Sequence, residues 1–489
     1  MNKKERMPFS LILMLLIATV LPQACNKNTS PDEPEPPGPT GPLAQVWLTR
    51  GDQLKLLSNE AGLPIIAQHD GMWPLITVDT TVSMQTIDGY GAAMTGSSAY
   101  LINRVLNTSE SQSVLEKLFD AEKGIGISFV RLSMGASDFS LSDFTYNDLP
   151  AGQSDFSLQQ FSLKQDTLDV VPVMQKVKNI APQLFIMGSP WSAPAWMKTN
   201  GSLKGGKLRT DCYSVYADYF VRYVQAMQDK GITITHVTPQ NEPLYFTAGY
   251  PCMEMQSGDQ LLFIRDHLGP KFAQNGITAK IINYDHNWDN TSYSINILND
   301  PQAKAYTAGS AFHGYGGQVS AMSAVHNAHP DRELHFTEIS GGAWATDFSD
   351  NLLWYMRNIF IGTAVNWSRS ALMWNLALDE FHGPRNNGCP NCRGVVTINQ
   401  TTGKVTYNEE YYAIGHFSKF VRPGARRVSV LWAQSLTNIE AVAFVNTDGS
   451  KAMVISNYDN TFKTFTIKQG TKYFTYSIPS KAVATLVWQ

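Results

Sequence analysis

Two glutamates stand where a strand has just ended. Glu242 lies in Thr238-Pro239-Gln240-Asn241-Glu242-Pro243, directly after Ile232-Thr233-Ile234-Thr235-His236-Val237, and Glu338 lies in Leu334-His335-Phe336-Thr337-Glu338-Ile339-Ser340-Gly341-Gly342. Both runs are apolar and β-branched, and both are cut off by residues that cannot prolong a ladder, Pro243 and the Gly341-Gly342 pair. Two carboxyl groups on one rim are the equipment for breaking a glycosidic bond: one protonates the leaving oxygen while the other attacks the anomeric carbon or activates water. A single glutamate so placed is more often a helix-start neighbour or half of a surface ion pair. The pairing carries the argument.

The elements that must position them follow from periodicity. Strand-like runs recur at Gln85–Gly91, Ser128–Gly135, Leu184–Pro190, Thr233–Thr238, Ala279–Tyr284, Ala308–His313, Leu334–Glu338 and Ser370–Asn375. Between them, Ser111–Glu122, Tyr213–Lys230, Gln260–Gln274 and Asp350–Ala364 carry apolar residues at three- and four-residue spacing. Eightfold alternation of strand and helix predicts a (β/α)₈ barrel, an α/β fold whose chemistry sits at the C-terminal ends of the strands. The ends of the chain alternate apolar and polar instead, as in Ala441-Val442-Ala443-Phe444-Val445, a turn at Asp448-Gly449 and Ala452-Met453-Val454-Ile455. They predict a side β-sandwich built from both ends. The expected organisation is a leader at 1–24, a Pro-rich tether at 25–42, sandwich strands at 43–86, the barrel at 87–425 and the remaining sandwich at 426–489.

With 489 residues, 43% hydrophobic and 16% charged, the chain can bury a large core. A formal net charge of −3 offers no basic footprint for nucleic acid and no charge-driven membrane affinity. A neutral substrate, taken by a monomer, is expected. Near the N-terminus, Lys3, Lys4 and Arg6 precede an apolar run from Phe9 to Pro22, too short to span a bilayer, followed by Ala24 and Cys25. This resembles a bacterial lipoprotein leader with Cys25 as the acylated residue; an ordinary secretory leader or a retained anchor are the alternatives. Lipid attachment at Cys25 would be the protein's one membrane contact and would place it on a bacterial outer membrane, periplasmic or surface-exposed. Cys389-Pro390-Asn391-Cys392 reads as a local disulfide, Cys389 with Cys392, in preference to a redox or zinc half-site, since no second Cys or His pair stands at metal spacing. Cys212 with Cys252 is a further possible pair. No metal ion or cofactor is expected, because His313 and Asp285 alone do not make a metal site.

"TPQNEP" with "FTEISGG", and "RLSMGASDFSLSDFTYND" with "SPWSAPAWMKTNGSLKGG", resemble glycoside hydrolase family 30, the group of glucosylceramidases and β-1,6-glucanases. The stretches "HLGPKFAQNGI" and "WNLAL…GHFSKFVRPGARRV" extend the likeness over Ile87 to Val428. The resemblance implies a retaining β-glycosidase, with Glu242 as general acid/base and Glu338 as nucleophile. It implies that Arg131 holds Glu338 ionised, that Asn241 meets the sugar 2-hydroxyl, and that Trp191, Trp374, Tyr315 and Tyr250 line the pocket of the reacting sugar. His313 would hydrogen-bond near Glu338 or be a satisfied core histidine, and Asn375 would touch sugar or loop backbone. One departure stands out: glucosylceramidases carry an acidic residue after the stretch matching Gly89–Thr95, where this chain has Gly96. Its loss suggests a pocket open to a longer chain. The expected activity is therefore endo-β-1,6-glucanase action on an extracellular polysaccharide, with an exo-β-glucosidase, glucosylceramidase-like enzyme or β-xylosidase as the alternative.

Overall fold

Eight parallel strands close into a barrel in chain order: Gly89–Ala93, Phe129–Met134, Phe185–Pro190, His236–Val237, Lys280–Asn287, Thr307–His313, Glu333–Glu338 and Ser368–Asn375. The structure is a computed structural model that describes residues 41–433 and 436–489. The expected leader, Cys25 and all but the last two residues of the tether lie outside the described residues. Inside the barrel Phe129, Met187, Ile282, Ala311 and Leu372 pack into one plug, so the lower interior is core and not channel. Helices cover the outside. Tyr213–Asp229, for example, buries Tyr216, Tyr219, Phe220, Tyr223 and Met227, residues three or four apart on one face.

Two strands differ from the sequence expectation. The first begins at Gly89, not Gln85, because Leu75–Thr86 is a long strand of the other sheet and pairs with Arg426–Trp432. The fourth pairs regularly only at His236–Val237, and Pro239 shortly after it lacks the N–H a longer ladder needs. The helices expected at 260–274 and 350–364 each contain a π-helical turn, Ile264–Leu268 and Met356–Phe360.

The second sheet has nine strands. Its order is Ser58–Pro64, Leu43–Arg50, Ala482–Trp488, Lys451–Asn457, Ile439–Val445, Arg426–Trp432, Leu75–Thr86, Lys463–Gln469 and Lys472–Ile478. Both chain ends thus share one sheet, and Val46, Ile76, Met453, Phe465, Phe474 and Trp488 pack within its core. His416, on the helix Glu409–Ser418, ties it to the barrel: Nδ1 meets Thr485 Oγ1 at 2.9 Å and Nε2 meets Thr49 Oγ1 at 2.8 Å.

Burial keeps His416 neutral, its pKa down at about 3 against an ordinary 6.5. Between those values the unfolded chain binds a proton that the folded chain refuses, so this residue's contribution to stability falls as pH drops below 6.5. At about pH 5 the loss is about 2 kcal/mol, or about 2 °C in Tm for a chain of this size. His416→Gln should narrow the calorimetric gap between the melting midpoints at neutral pH and at about pH 5 by that amount. An unchanged gap would place the acid sensitivity elsewhere.

Candidate functional site

At the C-terminal ends of the barrel strands a cleft of about 1040 Å³ opens, with Glu242, Glu338, Asn241, Trp191 and Trp374 among its walls. Glu242 follows the fourth strand with φ 45°, a left-handed backbone that a non-glycine residue adopts only when its surroundings hold it. Its N–H donates to Asp285 O at 3.0 Å. Glu338 is the last residue of the seventh strand, just past an irregularity in its pairing with the sixth. One carboxylate oxygen of Glu242 and one of Glu338 lie within 4.8 Å of each other. That is the close spacing that leaves no room for a water between carboxylate and sugar.

Beneath the floor sits Arg131, fully buried on the second strand. It donates to Glu338 Oε2 at 2.5 Å, Asn241 Oδ1 at 2.6 Å, Asp285 Oδ2 at 2.8 Å and Ser189 Oγ at 3.2 Å. Asn241 therefore has Nδ2 as the donor to offer a ligand. The rings of Trp191 and Trp374 stack with centroids 5.1 Å apart, and the guanidinium lies 4.9 and 5.5 Å from them. Tyr315 donates to Glu338 Oε1 at 3.0 Å, and Tyr250 lines the cleft, stacked beside Tyr245.

His313 goes to a different partner than expected. Its Nδ1 meets Glu242 Oε1 at 2.9 Å and its Nε2 meets Asp285 Oδ1 at 3.1 Å, while Glu338 stands at 3.9 Å. Burial alone would lower its pKa, but Glu338, Asp285 and Glu242 raise it to about 9, so the ring is a cation at neutral pH. Asp285, hydrogen-bonded also by Thr238 and Thr337, stays ionised: burial raises its pKa, and Arg131 and His313 pull it far below the usual carboxylate range. For the two glutamates the directions oppose the expectation. Burial is the largest influence on both; it raises Glu338, with help from the Glu242 charge, whereas hydrogen bonding and charge from His313 bring Glu242 below its ordinary value. Of the two, Glu338 is therefore the carboxylate that takes up a proton more readily.

Asn375 is not in the cleft wall. It is buried with Oδ1 accepting from Thr95 Oγ1 at 3.0 Å, and its Nδ2 has no partner among the described residues. Gly96 is not among the residues that line the cleft either; a Cβ there would stand in ordinary contact with Ser140 and the Phe139 carbonyl. A different acid, Asp138, in the loop after the second strand, lines the cleft, and its pKa is pushed up by burial and by the charges of Glu338 and Glu242. Asp138 and Asp285 were missed as site residues. Each is an acid within a few residues of a strand's end, the same signal that marked Glu242 and Glu338. At the outer end Trp344 and Trp354, 56% and 45% exposed, complete the cleft.

Cys389 and Cys392 form a disulfide, and both line the cleft. Cys212 and Cys252 are free; the Cys252 thiol donates to Thr247 O and accepts from the N–H groups of Gly205 and Thr247. Glu242, His313 and Glu338 are close enough to share a metal ion, but a protonated His313 engaged at both nitrogens has no lone pair to give.

Known proteins share this arrangement of domains. An endo-1,6-β-D-glucanase of Aspergillus fumigatus is 35% identical over 450 residues, covering 86% of this chain and 88% of that protein. The lysosomal acid glucosylceramidase of Mus musculus is 29% identical over 457 residues, covering 87% and 85%. Among solved structures, the endo-β1,6-glucanase BT3312 superposes with a TM-score of 0.85 at 33% identity, covering 91% of this chain and 99% of that one. Residues 87–421 match the TIM-barrel domain of glycosyl hydrolase family 30 and residues 424–486 match its beta sandwich domain, so this chain belongs to glycosyl hydrolase family 30.

Proposed function

We propose that the protein is a retaining endo-β-1,6-glucanase in which Glu338 is the nucleophile and Glu242 the general acid/base. The observation that carries this is the approach of the two carboxylates to within 4.8 Å in the wall of a cleft of about 1040 Å³. Glu338 attacks the anomeric carbon as the glycosidic C–O bond breaks, and the proton on Glu242 passes to the leaving oxygen. Glu242, now ionised, takes a proton from water, whose oxygen displaces Glu338 from the anomeric carbon. The reaction requires the proton on Glu242 and the charge on Glu338. With a sugar in place, the leaving oxygen beside Glu242 favours the protonated form there, while Arg131 and Tyr315 donate to an ionised Glu338.

The relatives of 35% and 33% identity named for endo-1,6-glucanase activity support the linkage, and the exposed Trp344 and Trp354 suit a substrate that continues beyond the cut. Asp138 favours the second reading, an exo-acting β-glucosidase, because a carboxyl group lining the cleft can hydrogen-bond the outer hydroxyls of a terminal glucose. Cys25, preceded by Ala24 and an apolar run behind Lys3, Lys4 and Arg6, supports acylation there and tethering to a bacterial outer membrane. Metabolic labelling with palmitate should mark the wild type and not Cys25→Ser; equal labelling would sink this.

Early products followed by NMR should appear as the β anomer, and an initial α anomer would exclude the retaining route. Glu338→Gln should abolish turnover on every substrate. Glu242→Ala should still form the glycosyl-enzyme from aryl glycosides with good leaving groups, and azide should restore its release. Equal losses on activated and natural substrates, with no rescue, would reverse the two roles.

Chromatography of the first minutes of β-1,6-glucan digestion should show gentiobiose and longer oligosaccharides. Glucose alone would move the assignment to the exo reading. Trp344→Ala with Trp354→Ala should raise KM for the polysaccharide about tenfold or more while changing aryl β-glucoside hydrolysis little, since each stacking contact contributes about 1 kcal/mol.

A further inference from the structure

The opposite end of the barrel holds a second cluster of chemistry-bearing side chains that the glycosidase reaction does not use. His236 begins the fourth strand, Glu333 and His335 begin the seventh, and Asp88 precedes the first. One donor atom from each of these four lies within 4.8 Å of all the others. Both histidines are fully buried, and His236 Nε2, His335 Nε2 and Glu333 Oε2 have no hydrogen-bond partner among the described residues. Three unmatched polar atoms converging in a protein interior demand an occupant.

The remaining atoms of the same side chains are all engaged, in the manner of an outer ligand shell. His236 Nδ1 lies 2.9 Å from Thr235 Oγ1, and His335 Nδ1 lies 3.1 Å from Ser370 Oγ. Glu333 Oε1 accepts from Lys280 at 2.7 Å and Arg369 at 2.8 Å, and Arg369 also holds Asp88 through two bonds. Hydroxyls on Nδ1 fix the rings with Nε2 turned to the common centre, as outer partners do for metal-bound imidazoles. His335 Nε2 stands 3.5 Å from Glu333 Oε2, too far for a good hydrogen bond but close to the edge of about 3.4 Å of a tetrahedron with bonds of about 2.1 Å.

We propose that this cluster binds one zinc-class transition-metal ion through His236 Nε2, His335 Nε2 and Glu333 Oε2, with Asp88 or a water as fourth ligand. Lys280 and Arg369 already match the two carboxylates, so the site attracts an ion by nitrogen donation more than by net charge. That selects zinc, nickel or copper over calcium and magnesium. Access is from below, where a cavity of about 440 Å³ reaches Glu333 and Arg369, and the Phe129 ring, 5.2 Å from that of His236, closes the inner side. Since His335 stands three residues before Glu338 and His236 six before Glu242, the ion would clamp together the two non-adjacent strands that present the catalytic pair.

The test uses purified wild-type protein stripped with chelator, incubated with zinc sulfate, desalted and measured by atomic mass spectrometry. One zinc per chain is expected, with a rise in Tm of several degrees that calcium and magnesium do not reproduce. A His236→Gln, His335→Gln variant with unchanged circular dichroism should hold no zinc and show no rise. Cobalt(II) bound to the wild type should give the intense visible absorption of a tetrahedral site, a readout independent of how the variant folds. A wild type that retains no zinc and shows no cobalt spectrum would overturn the proposal, and the centre would then hold water alone. Equal zinc retention by a folded double variant would overturn it as well.

Discussion

The buried guanidinium of Arg131 is the constraint around which the upper barrel is arranged. An unpaired cation at that depth would cost several kcal/mol, so the site must supply acceptors on every side of it. It does so from four different strand ends: Ser189, Asn241, Asp285 and Glu338. Each of these contacts fixes a rotamer as well as a charge. The result is that the nucleophile candidate, the residue beside the acid/base candidate and the two indole rings are held by one planar group. Replacing it with lysine would keep the charge and lose the fork.

A second cation follows from the first. Arg131 can match one full charge, yet Asp285, Glu242 and Glu338 place three carboxyl groups around it, and protonated His313 takes up most of the remainder. The backbone bends to make this possible. Tyr284 and Asp285 both have positive φ, 71° and 66°, at an irregularity in the fifth strand's pairing with the sixth. This bulge-like break turns the Asp285 carboxylate toward the barrel axis, and Glu242, itself at positive φ, donates its N–H to the Asp285 carbonyl. Strain at three polar residues is thus held by the ion network that they complete.

The barrel was legible because eight apolar runs alternate with helical periodicity, and Glu242 and Glu338 were legible because each interrupts such a run at its end. What the pattern could not convey is direction. Asp138 lies in the stretch Arg131–Asp148, on a loop held by contacts with residues 386–388, far off in sequence. Asp285 looked like a lone acid because its partners come from four other strands. Gly96, three residues past the first strand, is absent from the cleft lining, and a Cβ there would stand in ordinary contact with Ser140, a placement that the sequence pattern does not convey. His313 was seen as a hydrogen-bonding candidate, but which glutamate it meets depends on the bulge at Asp285, a backbone detail without a periodic signature.

The two ends of the cleft differ in kind, and this bears on how a sugar chain would lie. Asp138, Trp191 and Trp374 belong to the wall at the second, third and eighth strand ends, where buried polar and aromatic groups surround the reacting centre. Trp344 and Trp354 belong to the loop and helix after the seventh strand, and they remain roughly half exposed. A sugar bound deep is gripped by directional hydrogen bonds, whereas one bound against exposed indoles is held by stacking that tolerates several orientations. A β-1,6 linkage adds a rotatable bond between rings, so a chain of such units pays more entropy to be fixed along its whole length than one joined through ring carbons only. Tight recognition of one residue combined with loose stacking of its neighbours limits that cost to the sugar undergoing reaction, which is the arrangement this cleft presents.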